Sequence, residues 1–281
     1  MKKWIMPLAV IFLLAACANQ TATDNQSEQQ KEQQNVSSEA NEQEQEVESN
    51  EKEETEVENN ETGEEEKIEA QYRMNEKTYR FEPIADANSK VALLTIDDAP
   101  DTYALEMAKT LKALDAPAIF FVNGHFLQGE EKEEILKQIH ELGFPIGNHT
   151  YSHKDLKTLT VEEQREEIIS VNDRVEEIIG ERPIFFRAPF GSNTDESRQI
   201  ALEEKMLLMN WTYGYDWEKQ YMDKDAIAEI MVNAPELNDG ANLLMHDRKW
   251  TSEGLEQIVK GLREKGYDLL DPKLIETPVQ E

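Results

Sequence analysis

The 281-residue chain carries 59 acidic side chains against 29 basic ones, a formal charge of −30, and this argues against a nucleic-acid partner, whose phosphates call for clustered Lys and Arg. Its single cysteine, Cys17, excludes an internal disulfide, so whatever folds must rest on its own core. The charge is spread unevenly, and the chain reads best in pieces.

Lys2 and Lys3 precede an apolar run from Trp4 to Leu14 that closes in Leu14-Ala15-Ala16-Cys17. The run, roughly a dozen residues, falls short of the ~20 needed to span a membrane. A charged start, a short apolar centre and small residues at the end are the signature of a secretory signal peptide. Leu-Ala-Ala-Cys also resembles a bacterial lipobox, which implies that residues 1–16 are removed and that Cys17 is lipidated. That places the protein on the outer face of the cell membrane, facing the cell wall and attached through the lipid alone. The plainer alternative is an ordinary signal peptide with a cysteine near its cut. In the stretch 18–70 eighteen Asp or Glu stand against three Lys, a net of −15 and half of the chain's charge. With almost no apolar residue it cannot offset the entropy of ordering, so residues 17–70 are expected to form an extended, disordered tether. An acidic tail that binds a basic partner is the alternative. Residues 71–89 suggest a small β-ribbon, with Asn75-Glu76 between aromatic stretches.

From Lys90 to about residue 275, short apolar runs alternate with amphipathic stretches, the pattern of a parallel α/β architecture. Strands are expected at 91–96, 118–123, 145–147, 184–187, 206–212, 241–245 and 267–270. Helices are expected at 103–113, 130–142, 161–179, 195–204, 223–233 and 252–265. The longest helix places Ile168, Val171, Val175 and Ile178 in one apolar stripe. The whole fits an irregular (β/α) barrel of seven strands, smaller than the ~250-residue eightfold form.

Catalytic groups in such barrels collect where strands run out into βα loops. Asp97 and Asp98, His149 and His153, Arg187, Asp216, and His246 with Asp247 all follow candidate strands, each interrupting an apolar context. Adjacent residues on a strand point to opposite sides, so Asp97 and Asp98 must leave strand geometry or take different roles. Alone, the pair could equally cap the helix near Tyr103. His149 and His153 lie four apart and are expected to meet on one face of a helical turn. Two imidazoles and one carboxylate make a three-ligand site for a divalent ion with a position left for water. His125 and His140 read as surface residues. Tyr213, Tyr215, Tyr221 and Trp250 read as groove lining or as packing.

In this order the residues resemble the polysaccharide deacetylases of carbohydrate esterase family four, the NodB-homology domain. Thr95-Ile96-Asp97-Asp98 is similar to the family's T-F-D-D motif, His149 to His153 to H-[ST]-x-x-H, and Arg187-Ala188-Pro189-Phe190 to R-x-P-[FY]. Asp216-Trp217 is similar to the end of the fourth motif, and Leu244-Met245-His246 to L-x-H. The resemblance implies that Asp98, His149 and His153 hold one divalent metal, zinc first and cobalt, nickel or manganese as alternatives. It implies Asp97 as general base oriented by Arg187, and His246 as general acid held by Asp216. Phe190 would contribute a backbone N–H to the oxyanion hole, and Trp217 and Leu244 would wall a pocket for the acetyl methyl. Two positions depart from the pattern: Ala99 stands where the family has Gly, and the fourth motif lacks a further Asp upstream of Asp216. The expected function is a monomeric, metal-dependent hydrolase of linear amides that deacetylates N-acetylglucosamine residues of peptidoglycan. An O-acetyl polysaccharide esterase, and a catalytically silent glycan-binding wall protein, are the competing readings.

Overall fold

The computed structural model describes residues 69–278. The expected signal segment, Cys17 and all but the last two residues of the acidic tether lie outside them. Nine strands and six α-helices are described: β1 (Tyr72–Met74), β2 (Phe81–Pro83), β3 (Val91–Ala99), α1 (Ala104–Ala113), β4 (Ile119–Val122), α2 (Glu130–Glu141), β5 (Ile146–Asn148), α3 (Val161–Ile179), β6 (Phe185–Phe186), α4 (Asp195–Glu203), β7 (Leu207–Leu208), α5 (Lys224–Asn233), β8 (Ala241–His246), α6 (Lys249–Glu264) and β9 (Asp268–Leu269).

Local chemistry explains where the helices stop. Thr160 and Glu163 cap the start of α3 reciprocally, side chain to backbone, and Gly180 ends it at φ +78°, a conformation that costs glycine little. Its stripe, Ile168, Val171, Val175 and Ile178, is buried. α1 has no cap of its own; Asp247, far along the chain, accepts from the backbone N–H groups of Thr102 and Tyr103 and supplies it. That gives Asp247 a structural task, and it takes the capping role away from the Asp97-Asp98 pair.

The seven-stranded parallel sheet runs β7-β6-β5-β4-β3-β8, with β9 pairing to the start of β3. It curls into the incomplete barrel that the alternation implied. β3 is buried along its whole length, and its period of two sorts its side chains. Ala92, Leu94 and Ile96 pack with Met107, Leu136, Val171, Ile227 and Leu255 of the surrounding helices. Val91 and Leu93 pack inside with Ile119, Phe121 and Phe185. The expected strand 206–212 is a strand only over β7. Beyond it the chain peels away from β6 and crosses to β8, where Thr212 N–H donates to Asn242 O at 2.8 Å and Leu244 N–H to Tyr213 O at 2.9 Å. This segment spans the gap that a full ladder would fill.

The ribbon β1–β2 plugs the end of the barrel where the strands begin. Phe81 N–H donates to Gly240 O and Gln71 N–H to Leu274 O, both at 2.8 Å. Tyr72, Met74 and Phe81 complete the interior cluster with Leu270 and Ile275. Residue 240 must be glycine here: its φ is +73°, and a Cβ would stand 2.0 Å from the Phe81 carbonyl oxygen. Removing the buried ring leaves a cavity at this closure, so Phe81→Ala is expected to cost about 3–5 kcal/mol. Urea unfolding checks this, and a loss below about 1 kcal/mol would contradict the plug.

Candidate active site

Asp97 follows Val91, Leu93 and Thr95 on the inward face of β3, so strand periodicity alone aims it into the barrel mouth. Asp98 should then point outward. It does not, because the register with β4 slips: Ile96 pairs with Phe120 but Ala99 with Val122, one extra residue on β3. Asp98 takes the bulge with φ +60°, which turns its carboxylate back toward the mouth. Both acidic side chains therefore serve one site. Ala99 is fully buried in this turn and fits without glycine.

His149 and His153 also meet there, but not on a helical turn. Residues 149–153 form a bent loop with Thr150 at φ +66° and His153 at φ +56°. Side chains from elsewhere impose that path: Asn148 Oδ1 accepts from Thr150 N–H at 2.9 Å, and the Glu167 carboxylate accepts from Ser152 N–H at 2.7 Å. His149 Nδ1 lies 2.7 Å from the Arg187 carbonyl, which can only accept, so Nδ1 carries the proton and the Nε2 lone pair faces the site. His149 Nε2 is 3.9 Å and His153 Nε2 is 3.5 Å from Asp98 Oδ1.

One ligand atom from each of Asp98, His149 and His153 lies within 4.8 Å of the others. Two imidazole nitrogens and a carboxylate oxygen, converging with one tautomer already set, suit a divalent ion such as zinc. The electrostatics agree. Burial pushes the His153 imidazole down, helped by His149, so its lone pair is available. Burial pushes the Asp98 carboxyl up, but His149, His246, His153 and Arg248 outweigh it and hold the group ionised below its ordinary range.

Beneath this cluster Arg187 is wholly buried. Its Nη1 donates to Asp97 Oδ1 and to Thr95 Oγ1, both at 2.7 Å, and its Nη2 to the Asn210 carbonyl at 3.1 Å. The guanidinium lies over the Phe121 ring, 4.3 Å from the centroid. Asp97 Oδ2 remains for other work, 3.5 Å from His149 Nε2.

His246, the last residue of β8, pairs in register with Asp97 across the sheet. Its Nδ1 meets Asp216 Oδ1 at 2.6 Å. Asp216 does not follow a strand directly, as the sequence implied; it hangs eight residues past β7, beyond the crossing segment. Three further bonds fix it: His246 N–H (2.6 Å) and Thr251 Oγ1 (2.8 Å) donate to Oδ2, and Trp250 Nε1 donates to its carbonyl (2.7 Å). Gly214 lets this loop lie on β8, because a Cβ there would meet the Leu244 carbonyl at 2.4 Å. Burial works against the charged form of His246, but Asp216, by charge and hydrogen bond, with Asp97 and Asp98, raises its pKa above the ordinary value.

A cleft of about 450 Å³ opens above these groups, lined by Asp97, Asp98, His149, His153, Phe190, Trp211, Trp217, Leu244, His246 and Arg248. The volume lies within the ~300–1,000 Å³ common for small-ligand sites. Phe190 sits at φ +59° with its ring edge-on to His153, centroids 4.8 Å apart, and two thirds exposed. Trp217 stands edge-on to His246 at 5.5 Å. Tyr213 and Trp250 turn out to be packing residues, tied to Met231 O and Asp216 O. His125 stands behind the loop, its Nδ1 on the Tyr151 carbonyl. The sequence reading gave Thr95 no role beyond its place in a motif, and it missed what Asn210, Trp211, Thr251 and Arg248 do. Of these, only Arg248 carried a usable signal, as a charged residue two places past the end of a strand.

The family model for polysaccharide deacetylase matches residues 85–207. The chain is 33% identical over 198 residues to a peptidoglycan-N-acetylmuramic acid deacetylase of Bacillus subtilis, a match covering 69% of this chain but 40% of that protein. It is 32% identical over 189 residues to a peptidoglycan-N-acetylglucosamine deacetylase of Bacillus cereus, covering 64% and 68% respectively. Among solved structures, a peptidoglycan deacetylase from Bacillus subtilis superposes with a TM-score of 0.59 at 31% identity, covering 66% of this chain and 89% of that one. A CE4 family pseudoenzyme from Bacillus anthracis superposes with a TM-score of 0.60 at 30% identity, covering 66% and 64%. The family model ends before Asp216 and His246, but the identity to relatives covered over two thirds or more of their own length shows that the chain belongs to the polysaccharide deacetylase family.

Proposed function

We propose that the protein is a metal-dependent hydrolase that removes acetyl groups from N-acetylated sugars of peptidoglycan. The observation that carries the reading is the pairing of Asp97 with His246 in register on adjacent strands, a base and an acid flanking the ligand cluster of Asp98, His149 and His153. The relatives named for muramic acid and for glucosamine deacetylation support the substrate class. Export and anchoring through Cys17, with the acidic stretch as spacer, would set the domain against that substrate.

A divalent ion on Asp98, His149 and His153 would polarise the acetyl carbonyl and acidify water. Asp97 accepts the proton of the attacking water on Oδ2, since Arg187 holds Oδ1. Phe190, in the cleft wall beside His153, offers its backbone N–H to the developing oxyanion. Trp217 and Leu244 enclose the acetyl methyl. His246, with Nδ1 committed to Asp216, delivers a proton from Nε2 to the departing amine. The O-acetyl esterase reading uses the same groups with an easier leaving group. The silent glycan-binding reading is favoured by one observation, the likeness to a pseudoenzyme, and opposed by the presence of every group above.

Acetate release from peptidoglycan, chitin oligomers and acetylated xylan separates these readings. The proposal expects release from the N-acetylated glycans, abolished by a chelator and by His149→Ala and restored to the wild type by added zinc. Asp97→Asn should lower turnover by about 10²–10⁴-fold while glycan binding persists. Binding without release by the wild type would establish the silent reading instead. The pH profile tests the acid. His246 must be protonated to act, and Asp216 raises its pKa, so wild-type kcat/KM persists above the ordinary imidazole range. Asp216→Asn removes the largest influence that raises that pKa, leaving Asp97 and Asp98 against burial, and the alkaline limb moves to lower pH; an unmoved limb contradicts His246 as the acid.

A further inference from the structure

Arg248 lines the cleft without a part in the reaction above. Its guanidinium joins two loops: Nη2 donates to Asp98 Oδ2 at 2.7 Å, while Nη1 donates to the Asp247 carbonyl at 3.1 Å and stands 3.6 Å from Asp101 Oδ2. The backbone on either side is held. Arg248 N–H donates to His246 O at 2.8 Å, and the Asp247 carboxylate accepts from the N-terminus of α1. Asp98 itself sits on a bulge at φ +60°, where the backbone sets the direction of the side chain but not the twist of its carboxylate. A carboxylate free to twist presents either oxygen, or both, to an ion. Here the oxygens are divided: Oδ1 faces His149 and His153, and Oδ2 is taken by Arg248.

We infer that Arg248 is a positioning residue that restricts Asp98 to one ligating oxygen, so that the metal site presents three protein atoms and keeps its remaining positions open. The inference rests on the metal-site reading of Asp98, His149 and His153. Two effects of Arg248 oppose one another. Its positive charge repels a divalent ion, whereas its hydrogen bond preorganises the ligand, and loss of such a supporting bond typically weakens metal binding 10–100-fold. Orientation prevails in this account, so removing charge and hydrogen bond together should weaken binding, whereas dominance of the charge would tighten it.

The full-length protein is stripped of metal, and Zn²⁺ affinity is measured by competition with a chromophoric chelator for the wild type, Arg248→Met and Arg248→Lys. Arg248→Met keeps the apolar stem and removes both charge and donors; Arg248→Lys keeps the charge and a donating ammonium. The inference expects Arg248→Met to bind Zn²⁺ about tenfold or more weakly, with Arg248→Lys restoring most of the loss. Co²⁺ gives a second readout: the visible spectrum of Arg248→Met should change as Asp98 becomes free to chelate through both oxygens. Unchanged or tighter Zn²⁺ binding by Arg248→Met, with an unchanged Co²⁺ spectrum, overturns the inference and leaves the metal site standing. A wild type that binds neither ion rejects the metal reading itself. Should Arg248→Met fail to fold, an Arg248→Lys affinity far below wild type overturns the inference.

Discussion

The architecture of the cleft depends on one buried ion pair. Arg187 has no exposed surface, and burial pushes its basicity down, yet a guanidinium is basic enough to stay charged inside the barrel. Removing such a group from water costs several kcal/mol, which only a close anion and further acceptors can offset. Asp97 is that anion, and Thr95, the Asn210 carbonyl and the Phe121 ring supply the rest. The same residue offers its own carbonyl to His149 Nδ1. One side chain and one carbonyl thus fix the base, a ligand tautomer and the crossing segment together. Buried pairs seldom add net stability over a well-packed apolar substitute, so the reason for this one lies in what it orients.

Backbone strain gathers around the same point. Asp98, Thr150, His153 and Phe190 all adopt positive φ without being glycine, a conformation that costs a residue about 1–3 kcal/mol and persists only where its surroundings impose it. Here they do. The β3 bulge turns Asp98, Asn148 and Glu167 hold the loop of Thr150 and His153, and the short 3₁₀ turn at Pro189–Gly191 presents Phe190. These restraints come from strands and from α3, so the functional groups stand on the rigid part of the fold even where the chain is locally irregular. The plug formed by β1 and β2 stabilises the opposite end, leaving the strand-end mouth as the open one.

Much of this was legible in the residues. The alternation of strands and helices, the buried strand β3 and the apolar stripe on α3 follow from pattern alone. The strand-end rule located Asp97, His149, Arg187 and His246, because parallel strands deliver their ends to one face. It failed for Asp216, which reaches His246 only because the chain after β7 crosses to β8; nothing in residues 206–212 distinguishes that crossing from a continued strand. The four-residue spacing of His149 and His153 suggested a helical turn, but tertiary hydrogen bonds from Asn148 and Glu167 set a different path. The bulge that brings Asp98 beside Asp97 is likewise a matter of register between strands. Arg248 escaped notice because its partners, Asp98 and Asp101, lie about 150 residues away.

The central claim is that Asp98, His149 and His153 hold one divalent ion at the mouth of the barrel. A crystal of the protein equilibrated with Zn²⁺, with anomalous data collected on either side of the zinc edge, tests it most directly. The account requires a single strong peak about 2.0–2.2 Å from Asp98 Oδ1, His149 Nε2 and His153 Nε2, with Asp97 Oδ1 still on Arg187. A mouth without a peak, or an ion held by other residues, would contradict it.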